Sequence, residues 1–182
     1  MAYEIHDQAN IRGKNFIIVD GDYTKIESDA IMSTVYKEKK AENYVNRLIQ
    51  KVSDCYYFSR LKFPINDEIK IIEGDKNVHD GNFNDAIFVV DKNYSIKHLV
   101  MRGLVQSPFK RYNSIIIPVF KSVENIFNKD GIKQEIDVVI QSILKYVDAY
   151  GDISTIKDFY IGINKNPSMF SIASKFNLIQ DN

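Results

Sequence analysis

The chain has 182 residues, enough for one sizeable core and too few for two ordinary domains, so a single domain spanning 1–182 is expected. Lysine plus arginine and aspartate plus glutamate balance at 24 each, which leaves no overall field to attract polyanions and argues against nucleic acid as a partner. A lone cysteine, Cys55, excludes an intramolecular disulfide, and with neither a cleavable apolar leader nor an apolar run able to cross a bilayer, a soluble, cytoplasmic protein with no membrane partner is expected.

Apolar spacing switches repeatedly between two residues and three to four, the mark of strands interleaved with helices. Strands are predicted over 3–6, 15–20 and 29–33, the second ending in the turn Asp20-Gly21-Asp22. Between Glu38 and Arg60, the residues Ala41, Tyr44, Val45, Leu48, Ile49, Val52, Cys55 and Tyr56 describe a helix with one buried stripe, on which Cys55 serves as a small core residue. Strands over 68–73 and 85–90 follow, separated by a polar stretch, and they either pair as a hairpin or flank another strand. Ile96, Leu99, Val100, Gly103 and Leu104 share a helical face capped by Ser95. A strand over 113–118 precedes a long helix from Ile132 to Val147, with Asp130 as its cap and Gly151 as its stop. A strand over 156–163 comes last, before a helix launched by Asn166-Pro167. This order implies a mostly parallel sheet covered on both faces, with ligand loops beyond the carboxyl ends of its strands, after Asp20, Ser33, Pro118 and Ile163.

The segment Gly21 to Tyr36, GDYTKIESDAIMSTVY, resembles the opening of macro domains, where a pattern close to GDIT…DAIVNAAN sets an acidic side chain and a pair of asparagines around ADP-ribose. The SIIIPVF strand, the long helix after it and the terminal strand and helix follow the family's order, so the resemblance extends over nearly the whole chain. It implies an α/β fold, a three-layer α-β-α macro-like domain with a mixed, mostly parallel central sheet. For Asp22 it implies a hydrogen bond accepted from the exocyclic amine of adenine; read on its own chemistry, the same carboxylate satisfies backbone donors of its turn.

Ser33, Thr34, Val35 and Tyr36 stand in place of the family's NAAN. Ser33 and Thr34 offer hydroxyls, while the Tyr36 phenol cannot reproduce the last asparagine and either stacks on a different ligand, closes the site, or caps the core beneath the first helix. The glycine run that follows in the family is replaced by Lys37-Glu38-Lys39-Lys40-Ala41-Glu42, expected to enter a helix at once, with its lysines facing a phosphate or solvent. In the second phosphate loop Pro118 fits, and Lys121 and Ser122 are the anion-binding candidates beside Phe120 and Glu124. Asn164 occupies the place where the family stacks an aromatic on adenine, a platform that Tyr23 or Tyr160 would have to supply.

His6, His79 and His98 show no metal-ligand spacing, and Asp75 to Gly81 resembles a calcium loop only until Ala86, which stands where the bidentate glutamate belongs, so neither metal nor cofactor is expected. The resulting expectation is a non-catalytic binding module for ADP-ribose or a related adenine nucleotide, with an altered phosphate site. The alternative is a degenerate macro fold acting as a protein-interaction scaffold, its cleft filled by Tyr36 and Phe120. ADP-ribosyl hydrolysis ranks last, since the family's water-holding asparagine is replaced.

Overall fold

A computed structural model describes residues 3–39, 44–119 and 129–163. Strands β1 (Tyr3–Ile11) and β2 (Lys14–Gly21) form an antiparallel hairpin. Its turn is Arg12-Gly13, with φ of 53° and 76°, the left-handed pair that a two-residue hairpin turn requires. The sequence pattern ended β1 at residue 6, but the strand continues through Gln8 and Asn10, whose side chains are exposed. An edge strand needs little apolar alternation, and a register shift between Ile5 and Asp7 further blurs its period.

The remaining strands are β3 (Ser28–Val35), β4 (Ile69–Ile72), β5 (Phe83–Val90), β6 (Ser114–Pro118) and β7 (Asp158–Ile163). They complete a seven-stranded sheet in the order β1-β2-β7-β6-β3-β5-β4. All neighbours from β2 to β5 run parallel, while β1 and β4 lie antiparallel at the edges, so the sheet is mixed and mostly parallel. Of the two pairings left open for 68–73 and 85–90, the antiparallel one is found. Continuous apolar runs such as Ile115-Ile116-Ile117 and Ala86 to Val90 are buried, as strands covered on both faces must be.

Three α-helices are described: α1 (Tyr44–Ser53), α2 (Ile96–Val105) and α3 (Lys129–Tyr150). Alternation along β3 assigns their layers. A Cβ on Gly103 of α2 would fall 2.5 Å from Met32 Cε, whereas the next residue, Ser33, hydrogen-bonds Asn46 of α1. Neighbouring residues of a strand face opposite ways, so α1 and α2 cover opposite faces. α3 packs against α2 and sets the Tyr146 ring edge-on to Phe159 of β7 at 6.4 Å, which completes three layers. Among the described residues no helix is long and apolar enough to cross a membrane.

Ser95 caps α2 as expected, accepting from His98 N at 3.2 Å, and α3 ends at Tyr150, where Gly151 N donates to Val147 O at 2.8 Å. Two helix ends differ from expectation. Asp130 lies inside α3 and so cannot be its cap. α1 stops at Ser53 because Asp54 and Cys55 adopt left-handed backbones, φ 47° and 64°. Cys55 is therefore exposed in a turn, its Sγ accepting from Gln50 Nε2 at 3.1 Å, and Tyr57 takes the buried position. The final helix predicted from Asn166 lies outside the described residues.

Tyr57 ties this turn to the sheet. Fully buried, it donates its hydroxyl proton to Asn84 O and meets His79 Nε2 at 2.9 Å, and burial pushes the phenol's pKa far above its ordinary value. Tyr57→Phe leaves two half-buried partners, His79 and Asn84 O, without the hydroxyl, and we expect urea denaturation to show a loss of about 1–3 kcal/mol. An unchanged unfolding midpoint would mean that the two partners find other bonds.

Candidate ligand site

Parallel strands β2, β7, β6 and β3 bring their carboxyl ends side by side, with Asp20 opposite Ile163 and Gly162 opposite Pro118. The space beyond these carboxyl ends is the opening at which a sheet of this kind receives ligands. Leaving β2, Gly21 turns with φ of 108° and hands the chain to Asp22, which caps a single 3-10 turn, Tyr23–Lys25. Asp22 Oδ1 accepts from Thr24 N at 3.2 Å and from the Thr24 hydroxyl, while Oδ2 has no hydrogen bond among the described residues. One carboxylate thus holds the turn and still presents an acceptor.

Next to it, Asp20 faces Glu4 across the β1–β2 ladder. Burial and then the Glu4 charge hold the Asp20 carboxyl above the usual carboxylate range, against the pull of the Gly21 backbone and His6. Tyr23 is 1% exposed and packs its ring on Gly162, where a Cβ would lie 2.6 Å from Tyr23 Cγ. Its ring belongs to the core beneath the opening. Tyr160 lies mid-strand in β7, partly buried, opposite Ile17 and Ile116.

On the β3 side, Ser33 and Thr34 are buried rather than presented to the opening. The Ser33 hydroxyl donates to Asn46 Oδ1, and Asn46 Nδ2 donates to Thr34 O at 3.0 Å. Asn46, 1% exposed, binds the end of β3 to the start of α1. It went unnoticed in the sequence because the apolar stripe of α1 runs through its neighbours; the only signal is its spacing of three from Ile49.

Tyr36, the first residue after β3, is 45% exposed. The reading of Tyr36 as a cap on the core is thereby corrected: the residue beyond the strand's last buried position turns outward. Lys37 and Lys39 are exposed in a bend held by Tyr36 N to Lys39 O at 3.1 Å and Ile65 N to Lys37 O at 2.8 Å, so the chain does not enter a helix at Glu38. The sequence candidates Lys121, Ser122 and Asn164 lie outside the described residues, as does Phe120. The structure thus gathers Asp22, Tyr23, Ser33, Thr34 and Tyr36 around one end of the sheet, with three of them committed to the core.

Neither a protein-family profile nor a curated protein matches the chain. Solved structures do. The Oceanobacillus iheyensis macrodomain with ADP is 15% identical with a TM-score of 0.64, covering 100% of this chain and 98% of that one. The macro domain of ganglioside induced differentiation associated protein 2 is 15% identical with a TM-score of 0.63, covering 92% of this chain and 83% of that one. The Trypanosoma brucei macrodomain in complex with ADP is 10% identical with a TM-score of 0.61, covering 82% of this chain and 64% of that one. At these identities the likeness shows the fold: this chain is a macrodomain in architecture.

Proposed function

We propose, from the premise that the chain has the macrodomain fold, that it is a non-catalytic binding module for ADP-ribose or a related adenine nucleotide. The observation that carries this reading is the Asp22 turn: at the carboxyl end of β2, beside the ends of β7, β6 and β3, Oδ1 caps Thr24 and Oδ2 has no hydrogen bond among the described residues. Such an oxygen accepts a proton from an exocyclic amine in a charge-assisted bond, and its aim is fixed by the cap. Two solved neighbours, from Oceanobacillus iheyensis and Trypanosoma brucei, carry ADP, which supports the ligand class.

Binding rather than catalysis fits the hydroxyls at the site. Ser33 donates to a carboxamide, not to an imidazole or carboxylate, so its hydroxyl is not paired with a base that would activate it. Tyr36, half exposed at the rim, offers a ring that can lie against a ribose or base. A scaffold whose cleft is closed by its own aromatics would need that ring turned inward. Lysine side chains at 37, 39 and 121 then meet the phosphates in place of glycine amides, the altered phosphate site of this reading. Calorimetric titration with ADP-ribose, ADP and NAD tests it: saturable heat with at least one adenylate, and a melting temperature that rises with its concentration, are expected. No heat and no thermal shift at millimolar ligand would leave the protein-docking scaffold as the better account.

A further inference from the structure

The segment between β4 and β5 runs beneath the turn that carries Asp22. Asn82 N donates to Thr24 O at 2.7 Å, Ser28 N donates to Asn82 O at 3.0 Å, and Lys25 Nζ donates to Asp80 O at 2.5 Å. Asp80 N in turn donates to Val52 O at 2.8 Å. The turn that Asp22 caps is therefore bonded to this segment on both sides.

His79 fixes the segment through both ring nitrogens. Gly81 N donates to Nδ1 at 3.0 Å, so Nδ1 is an acceptor. Nε2 faces the Tyr57 hydroxyl at 2.9 Å, and that hydroxyl spends its proton on Asn84 O, so Nε2 must carry the ring's own proton. The ring packs 4.8 Å from Phe83 and 5.5 Å from Tyr57, centroid to centroid. Only the neutral Nε2–H tautomer satisfies this arrangement; an imidazolium would drive a second N–H against the Gly81 N–H.

We infer that His79 is an acid-sensitive latch: neutral, it pins residues 75–82 beneath the Asp22 turn, and protonated, it frees them and weakens adenine-nucleotide binding, the last consequence resting on the role proposed for Asp22. Burial holds the imidazole pKa below its ordinary 6.5, and Lys25 acts the same way, while the Phe83 backbone and the Asp75 and Asp80 carboxylates act against them. Asp85 and Arg60 bear on the network through Tyr57, and Glu27 at the segment's outer side is paired with Lys76. An unfolded chain takes up the imidazole proton as pH falls through 6.5 and the folded chain resists it, so the latch stabilises the fold above that pH and loses its contribution as pH drops toward the folded value.

Amide hydrogen exchange of the full chain, corrected for the intrinsic effect of pH, reads the latch at about pH 7.5 and about pH 5.5, on either side of the ordinary imidazole value. Protection at Asp80, Gly81, Asn82 and Ser28 is expected to fall about tenfold in acid, the scale of one hydrogen bond, while the amides of β6 and of β3 beyond Asp29 hold theirs. In His79→Gln the change disappears. Calorimetry with ADP-ribose at the two pH values should show a similar loss of affinity in the wild type and none in the variant. Loop protection that ignores pH, or falls equally in His79→Gln, overturns the latch. Opening without any ADP-ribose binding at neutral pH supports the latch and sinks the Asp22 reading instead. Should the variant not fold, the imidazole nitrogen shifts of the wild type decide, since a neutral Nδ1–H tautomer overturns the inference.

Discussion

Asp22→Ala is expected to cost about 1.5–3 kcal/mol of ADP-ribose affinity, the worth of one hydrogen bond to a charged group, or between about tenfold and a hundredfold in Kd. Because Oδ1 also caps the Tyr23–Lys25 turn, the same substitution removes about 1 kcal/mol of stability. Asp22→Asn separates the two roles. A carboxylate can accept from Thr24 with one oxygen and from an adenine amine with the other; a carboxamide has a single oxygen and must give up one of them. Asparagine is as good a cap as aspartate, so if its oxygen stays on Thr24, the melting temperature holds and the NH2 group meets the adenine amine donor to donor. Calorimetry and thermal melts on both variants check this together. Affinity equal to wild type in both would remove adenine recognition from Asp22, whatever else binds in the cleft.

Much of the sheet is legible in the sequence because its inner strands are apolar on both faces. Ile115-Ile116-Ile117 and Ala86 to Val90 can be little else, and their spacing from helices implies parallel neighbours. What the pattern could not give were ends governed by backbone rather than by burial. β1 runs five residues past its expected limit, to Ile11 rather than residue 6, because an edge strand is held by its hydrogen bonds and tolerates polar side chains on both faces. α1 stops at Ser53 although Val52 and Tyr56 keep the helical period, since left-handed torsions at Asp54 and Cys55 leave no mark in hydrophobicity.

The site divides along the same line. Asp22 could be found because a Gly-Asp turn after an apolar strand is local chemistry, and its cap lies two residues on. Ser33 reads as a ligand hydroxyl until its partner is seen; Asn46, thirteen positions away on another element, claims that proton in the core. Tyr36 reads as a core cap on the general habit of tyrosine, yet the strand ends one residue earlier and the ring is left outside. The role inferred for His79 leaves no mark in the sequence, since beside the local bond from Gly81 it needs Tyr57, twenty-two positions away.

Gly162→Val is expected to destabilise the fold by about 2–3 kcal/mol, read as a lower urea midpoint, because the added Cβ meets a part of Tyr23 that cannot swing away. The atoms 2.6 Å from that Cβ are Tyr23 Cγ and Cδ1, at the root of a ring that is 1% exposed, so relief requires moving the turn rather than rotating a side-chain tip. That turn begins at Asp22, and ADP-ribose affinity should fall together with stability. Tyr23→Leu removes the ring and costs stability by itself; in the double variant the two losses should fall short of their sum by about 1 kcal/mol or more, since the clash is gone once the ring is absent. Strict additivity would place the strain elsewhere, at the hydrogen bond from Val119 N to Gly162 O, and would uncouple the β7 glycine from the geometry of the carboxylate proposed to bind the base.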